Sequence, residues 1–377
     1  MDVRDFTILL DEDEGKLTLH AESFPPVRGA KERLDTKAFH RLVAHAGLLR
    51  HEADNGFLSR EAGAVAGRDL FRTIFSDKLL PSFQEAIRIT ENHGEILRLV
   101  LKYELPEAGT HQMVNEVPWE LLFNPERGQF VALDEQFLLV RHLQNSGQVW
   151  RPLESPPRIL ISEACPLGEA PLATEEEAQA VHAVCERLYS RGLVGRSIRL
   201  PHVSEQRLVQ QFNHADDSDE HFHIWHHCGH GRGSMNGAFR LALHARDGDG
   251  TSGRQYSNPG TLDQIVADHP ELRLIILNVC EGAGRRGLAA AAAALNIPAT
   301  IGFHATVRDH CALGFAEALW RGIASTRLDH AVRDARRTLA CGTAALDFAR
   351  IVLFLRSLDP PCLINNTVLA RNASGRI

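Results

Sequence analysis

Apolar and polar positions alternate over Phe6 to Leu10 and again over Lys16 to His20, with the acidic turn Asp11-Glu12-Asp13-Glu14-Gly15 between them. That pattern predicts a β-hairpin. Helical spacing follows, with Phe39, Leu42 and Val43 on one stripe and Leu70, Phe71, Ile74 and Phe75 on another. Ile96 to Tyr103 is an apolar run rich in β-formers and reads as a strand. Val117-Pro118-Trp119-Glu120-Leu121-Leu122 comes next, then a strand near Phe137 to Val140. Residues 144–157 are polar and proline-bearing and mark a linker between an N-terminal domain, 1–150, and a C-terminal domain, 151–377.

The second half alternates strand and helix. Arg158 to Ser162 reads as a buried strand, and Thr174 to Arg191 as a helix with Thr174 at its N-cap and Glu177 three residues on. Ser197 to Leu200 is a strand and Ser204 to Phe212 a helix. Phe222 to His227 is a strand ending in Gly229-His230-Gly231, and Leu272 to Val279 a strand ending at Cys280. Leu288 to Leu295 reads as an alanine-rich helix, followed by a strand at Ile297 to Gly302, helices at Val307 to Arg321 and Asp329 to Leu339, and a last strand at Ile351 to Leu355. Strands separated by helices predict an α/β fold with a mainly parallel sheet flanked by helices. No repeat of solenoid length is visible.

Composition narrows the class. Of 377 residues 44% are hydrophobic and 24% charged, which excludes a disordered chain, and the formal charge of −7 with no basic run offers nothing to nucleic acid. No apolar run is long enough to anchor the chain in a membrane. The start, Met1-Asp2-Val3-Arg4-Asp5, has acids where a secretory signal has basic residues, so a cytoplasmic location is expected. All seven cysteines follow residue 164, an odd count expected to be reduced thiols.

Two strand ends carry reactive groups, and in open α/β sheets ligands bind beyond the carboxyl ends of strands. His230 lies between glycines that let the backbone turn and leave the imidazole uncovered. Cys280 closes an apolar strand and precedes Glu281-Gly282. A thiol attacks an amide as thiolate, which a neighbouring imidazole generates or stabilises. Adjacent parallel strands would bring the two together, and caspase-type peptidases have their histidine at a comparable distance upstream. The backbone N–H groups of Gly231 and Cys280 are then candidates for an oxyanion hole. Cys280 and His230 are the expected catalytic pair. Taken alone, each has a plain structural reading, Cys280 as a small hydrophobe and Gly-His-Gly as a turn.

His221, His223, His226, His227, Cys228 and His230 suggest a metal, but strand alternation lets at most two or three converge, and no His-Glu-x-x-His or Cys-x-x-Cys pattern is present. No metal or cofactor is expected. Residues 246–260 form a stretch that either meets substrate or is a solvated crossover, with Arg246 and Arg254 open to proteolysis. Asp309 either places negative charge in a substrate pocket, as Glu281 would, or caps a helix.

These motifs, in this order, resemble the CHAT family of caspase-like peptidases, in one clan with caspases, separases and gingipains. Trp225-His226-His227-Cys228-Gly229-His230-Gly231 is similar to the family's His-Phe-x-Gly-His-Gly, with His227 for Phe. Leu277-Asn278-Val279-Cys280-Glu281-Gly282 is similar to Leu-Ser-x-Cys-Glu-Thr, with Gly282 for Thr. Ile297 to Gly302 with Val307-Arg308-Asp309 and Phe315, the Ala331 to Leu339 helix, Val117 to Leu122 and Arg158 to Pro166 extend the likeness to about residues 65–357. The resemblance implies a metal-independent thiol endopeptidase whose N-terminal half is a pseudo-caspase scaffold. Many members adjoin repeat domains, which this chain lacks. Short members belong to bacterial defence loci, where some cleave a gasdermin-like pore-former encoded nearby. The expected partner is therefore a protein substrate. The competing readings are a catalytically silent interaction module and a zinc enzyme built on the His-rich strand. No motif bears on oligomeric state or cleavage preference.

Overall fold

The computed structural model describes residues 2–13, 16–23, 31–45, 47, 59–104, 113–144, 153, 155–217, 220–233, 239–246, 250–279, 297–305, 307–323, 327–341 and 346–358. The expected helix at 288–295 and most of the expected linker lie outside these residues. Internal contacts divide the chain into two units, residues 1–146 with 336–352, and residues 147–335 with 353–377.

In the first unit the expected hairpin is β1 (Val3–Asp13) with β2 (Lys16–Ser23), Leu10 facing Leu19, and β3 (Lys31–Leu34) adds antiparallel to β2. On the other side β1 runs parallel to β4 (Ile96–Glu104), and β4 parallel to β7 (Phe137–Gln144). A small ribbon, β5 (Phe123–Asn124) and β6 (Gln129–Phe130), lies between. Helices α1 (Thr36–Ala44) and α2 (Arg60–Ile74) are capped by Asp35 and Ser59, whose side chains accept from Ala38 N and Ala62 N. Helix α3 (Leu80–His93) was not expected from the sequence, although Pro81 in its first turn and left-handed Gly94 at its end are ordinary boundary signals. Phe6, Phe71, Phe75, Phe83 and Phe137 stack in the core.

The Pro-Trp-Glu segment has a structural task. Trp119 donates its indole N–H to Val114 O at 3.0 Å, and the buried Glu120 carboxylate accepts from Arg141 at 2.6 Å, with Arg336 3.7 Å away.

In the second unit β8 (Ile159–Ala164), β9 (Ser197–Leu200), β10 (Ile224–Gly233), β13 (Leu274–Asn278) and β14 (Ala299–Phe303) run parallel in the order β9-β8-β10-β13-β14. Every residue of β8, β13 and β14 is buried, as strands covered on both faces must be. Antiparallel β11 (Phe239–His244) and β12 (Arg254–Tyr256) extend the far end of β10. The helices are α4 (Thr174–Ser190), α5 (Glu205–Asp217), α6 (Pro259–Asp268), α7 (Asp309–Ile323) and α8 (Leu328–Ala340), and the last strand is β15 (Ile351–Leu355). The division between units falls within α8 and β15. Among the described residues no helix is long and apolar enough to cross a membrane.

Three expectations are corrected. Thr174 is the first helical residue, with Ala173 at the cap and no side-chain capping bond. Strand β10 does not stop before His230 but continues past it, because β11 pairs with its final turnless stretch, His230 opposite Ala242. Part of 246–260 is not an open loop, since Arg254 to Tyr256 form β12.

Candidate active site

Alternation along β10 gives its side chains two destinations. Trp225 packs on Phe212 of α5, ring centroids 5.7 Å apart, whereas His226 and Cys228 both reach Glu177 of α4 on the opposite face. His230 belongs to that second face and is half-buried. Its Nε2 lies 2.7 Å from the carbonyl oxygen of Ala170. A carbonyl only accepts, so Nε2 carries a proton, and whenever the ring is neutral the lone pair is on Nδ1.

Gly229 sits beside His230 for reasons of space. A Cβ there would come 2.8 Å from Ala164 O and 2.9 Å from His227 Nε2. The glycine thus serves close approach in extended backbone rather than the sharp turn expected of it. Gly231 faces Leu241, which spends its own carbonyl and N–H on Ser257 in the β12 direction. Ala242 is therefore the β11 residue whose backbone addresses His230, and the N–H of Gly231 points to the β13 side.

Ala170 belongs to the segment that leaves β8, and this segment is fastened at several points. Leu167 N donates to Ser252 O at 3.2 Å. The Glu169 carboxylate accepts from Arg254 at 2.7 Å and from the Tyr256 hydroxyl at 2.9 Å. Burial pushes the Glu169 carboxyl up, but these two hydrogen bonds, with the nearby His230 and Arg254, outweigh it and hold the group below the usual carboxylate range. Arg254, expected to be open to proteolysis, is engaged in this pair and stacks over Tyr256 at 4.9 Å.

The described members of the His-rich strand converge at one place only. His226 Nε2 and Cys228 Sγ each lie 3.1 Å from Glu177 Oε1, which also accepts from Asn278 of β13. These His, Cys and Glu atoms lie within 4.8 Å of one another, a spacing a metal could use. The donor set opposes it. The Trp320 indole N–H donates to His226 Nδ1 at 3.2 Å, so the ring proton sits on Nε2, the atom a metal would need bare. Burial, then the Glu177 carboxylate, push the Cys228 thiol well up, so it remains an S–H donor. Glu177 is thus a buried acceptor that ties α4 to the ends of β10 and β13. His227, on the other face, is fully buried with Nδ1 2.8 Å from Ser162 Oγ, and burial pushes its pKa down to about 3.

Asp309, the first residue of α7, is exposed and lines a small open cleft with Thr174, Gly229, Asn278 and Val279. One of its oxygens accepts from Ala173 N at 3.2 Å, so it fastens the start of α4 instead of capping its own helix. Cys280 and Glu281 lie outside the described residues. The arrangement brings His230, Gly231 and Asp309 to the carboxyl end of one parallel sheet. Sequence reasoning missed Glu169, Ala170 and Glu177. The acceptor role of Ala170 is a backbone property without a sequence signal, and Glu177 was noticed only as a capping residue.

The strand order and flanking helices define a caspase-like α/β protein. One solved structure of the Saccharomyces cerevisiae separase–securin complex, at 3.0 Å, superposes with a TM-score of 0.50 at 11% identity, covering 93% of this chain and 30% of that chain. A second, at 2.6 Å, gives 0.49 at 12% identity with the same coverage. This chain thus spans less than a third of the length of that separase. No curated protein matches by sequence. The family model of the CHAT domain matches residues 104–350, and the chain belongs to that family.

Proposed function

We propose that this protein is a cysteine endopeptidase in which Cys280 is the nucleophile and His230 the general base. The observation that carries this reading is the register of β10 on β13. Ile224 faces Leu274 and Cys228 faces Asn278, partners fifty residues apart, and the same offset separates His230 from Cys280. Were the register to run on by two residues, the two would meet on the face already shared by Cys228 and Asn278.

In the proposed cycle His230 Nδ1 takes the Cys280 proton and the thiolate attacks the scissile carbonyl. The oxyanion forms against the N–H groups of Gly231 and Cys280. The C–N bond then breaks as protonated His230 gives its proton to the departing amine, leaving a thioester. Water, deprotonated by His230, releases the acid and restores the thiol. Asp309, with one oxygen committed to Ala173, and Glu281 would favour a basic side chain beside the cleaved bond. The first unit would act as the pseudo-caspase scaffold, and the substrate would be a protein, a gasdermin-like pore-former being the one the family resemblance suggests.

The test is digestion of a proteome-derived peptide library by the purified chain, read by mass spectrometry. Cleavage is expected, and it should vanish in Cys280→Ala and in His230→Ala. Cleavage that survives Cys280→Ala removes the assignment. An intact library, together with iodoacetamide labelling of Cys280 no faster than that of exposed Cys341, would make the chain an interaction module instead.

A further inference from the structure

His230 is held by an atom that is itself held. Its only described ring partner is the carbonyl of Ala170, an exposed residue in the segment between β8 and α4, so the imidazole is no better placed than that segment. One residue earlier, Glu169 accepts from Arg254 and Tyr256, both on β12. Arg254 also donates to Gly168 O at 3.3 Å, and Gly168 takes φ +95°, a turn that glycine allows. Strand β12 pairs with β11, and β11 with β10 beside His230. The contacts form a closed ring: His230 to Ala170, Glu169 to β12, β12 to β11, and β11 back to His230.

We infer that Glu169 is a positioning residue for His230: bound to Arg254 and Tyr256, it fixes the Ala170 carbonyl that selects the imidazole tautomer and aims its free nitrogen. This rests on the proposed role of His230 as the base. Among the described contacts Glu169 makes no hydrogen bond to the ring, although its carboxylate is close enough to interact with the charge of a protonated His230. A charge-assisted pair from arginine with a second bond from a phenol is a strong anchor for a short exposed segment. Residues that orient a ligating or catalytic imidazole from behind change its reactivity without meeting substrate. Outside this anchor, the segment is fastened by Leu167 to Ser252 on one side and by Ala173 to Asp309 on the other. Neither bond reaches Ala170 itself, whose carbonyl oxygen takes, besides His230, only a longer described contact from the Cys165 thiol at 3.7 Å.

Two readouts on the full chain test the inference. The first is the His230 tautomer by long-range ¹H–¹⁵N spectra, assigned with His230→Ala. The wild type should show the proton on Nε2, and Glu169→Ala a mixture of tautomers. The second is the rate of Cys280 carboxamidomethylation by iodoacetamide, followed by mass spectrometry with Cys341 as internal reference. Loss of an orienting partner behind a functional imidazole costs about 10-fold, so Glu169→Ala should slow Cys280 by about that factor and leave Cys341 unchanged. Glu169→Gln keeps an acceptor for Arg254 and Tyr256 and should recover most of both signals. Tyr256→Phe removes a single hydroxyl and should move both in the same direction by less; it carries the test if Glu169→Ala does not fold. A wild-type tautomer and wild-type Cys280 rate in folded Glu169→Ala would overturn the inference. Wild-type Cys280 reacting no faster than Cys341 would instead sink the peptidase reading, while the tautomer comparison would still judge the clamp.

Discussion

His227 stands where the family motif has phenylalanine, and its surroundings show what the exchange entails. Ser162 Oγ accepts from the Trp225 indole at 2.8 Å and lies 2.8 Å from His227 Nδ1, while Nε2 of His227 is buried without a described partner. Burial keeps the ring neutral, its pKa lowered from 6.5 to about 3. The unfolded chain therefore binds a proton that the folded chain refuses between those two values. Stability is whole above the unfolded value and falls as pH drops below it, until the folded ring also titrates. At pH 5 the loss from this one group is about 2 kcal/mol. His227→Phe should remove it: urea midpoints at pH 7 and pH 5 should lie closer together in the variant, and an unchanged gap would show that other groups set the acid limb. Glu177 is the second residue whose surroundings make a number. Glu177→Ala leaves the donors of His226, Cys228 and Asn278 without their acceptor, and the unfolding free energy should fall by about 3 kcal/mol. Loss of Cys280 labelling should accompany it, because the same carboxylate joins β10 to β13.

At the scale of elements, the close passage of β10 over the end of β8 depends on one missing methyl group. Gly229→Ala would press Cβ onto Ala164 O, which is backbone and cannot yield as a side-chain tip does. Overpacking of this kind costs about 1–3 kcal/mol, so the urea midpoint should drop, with slower Cys280 labelling as His230 is displaced. A variant as stable and as reactive as the parent would mean that the strand ends can part without consequence. The elements also show why some of the fold was legible and some not. Strands β8, β13 and β14 are buried on both faces and wrote themselves as apolar runs, and β15 matched its expected limits. Strand β11 was missed although Phe239, Leu241 and Leu243 alternate with Arg240, Ala242 and His244, and β12 was illegible because it is three residues long and begins Arg254-Gln255. Strand β12 supplies Arg254 and Tyr256, so the anchor of Glu169 was illegible for the same reason. The fifty-residue spacing of His230 and Cys280 is visible in the sequence, and Ile224–Cys228 of β10 pairs with Leu274–Asn278 of β13 at the same offset.

At the scale of the whole chain, the first unit is not completed by its own contiguous sequence. Residues 336–352 belong to it, and they meet its most polar and its most crowded points. Arg336 donates to Leu139 O at 3.2 Å and to Ile351 O at 2.8 Å, and stands beside the buried pair of Glu120 and Arg141. Burial pushes the Arg336 guanidinium down to about 10, still well above physiological pH, so the charge persists and needs Glu120. Phe348 packs edge-on against Phe130 at 4.9 Å, and Leu346 lies so close to Gly63 that a Cβ there would fall 2.4 Å from its side chain. Breaking a buried ion pair by removing one partner costs about 3–5 kcal/mol, because the other charge is left without compensation. Glu120→Ala strands two arginines at once, and its unfolding free energy should fall by at least that much. The same reasoning applies to a chain cut after residue 150. It keeps Glu120 and Arg141 but loses Arg336, Leu346 and Phe348, and exposes the apolar surfaces of Phe130 and Gly63. Such a fragment should give no cooperative unfolding transition by circular dichroism in urea, and adding a separate peptide of residues 336–352 should restore one. A sharp transition from the fragment alone would mean that the Pro-Trp-Glu segment and its arginine form a self-sufficient core, and that the returning segment only decorates it.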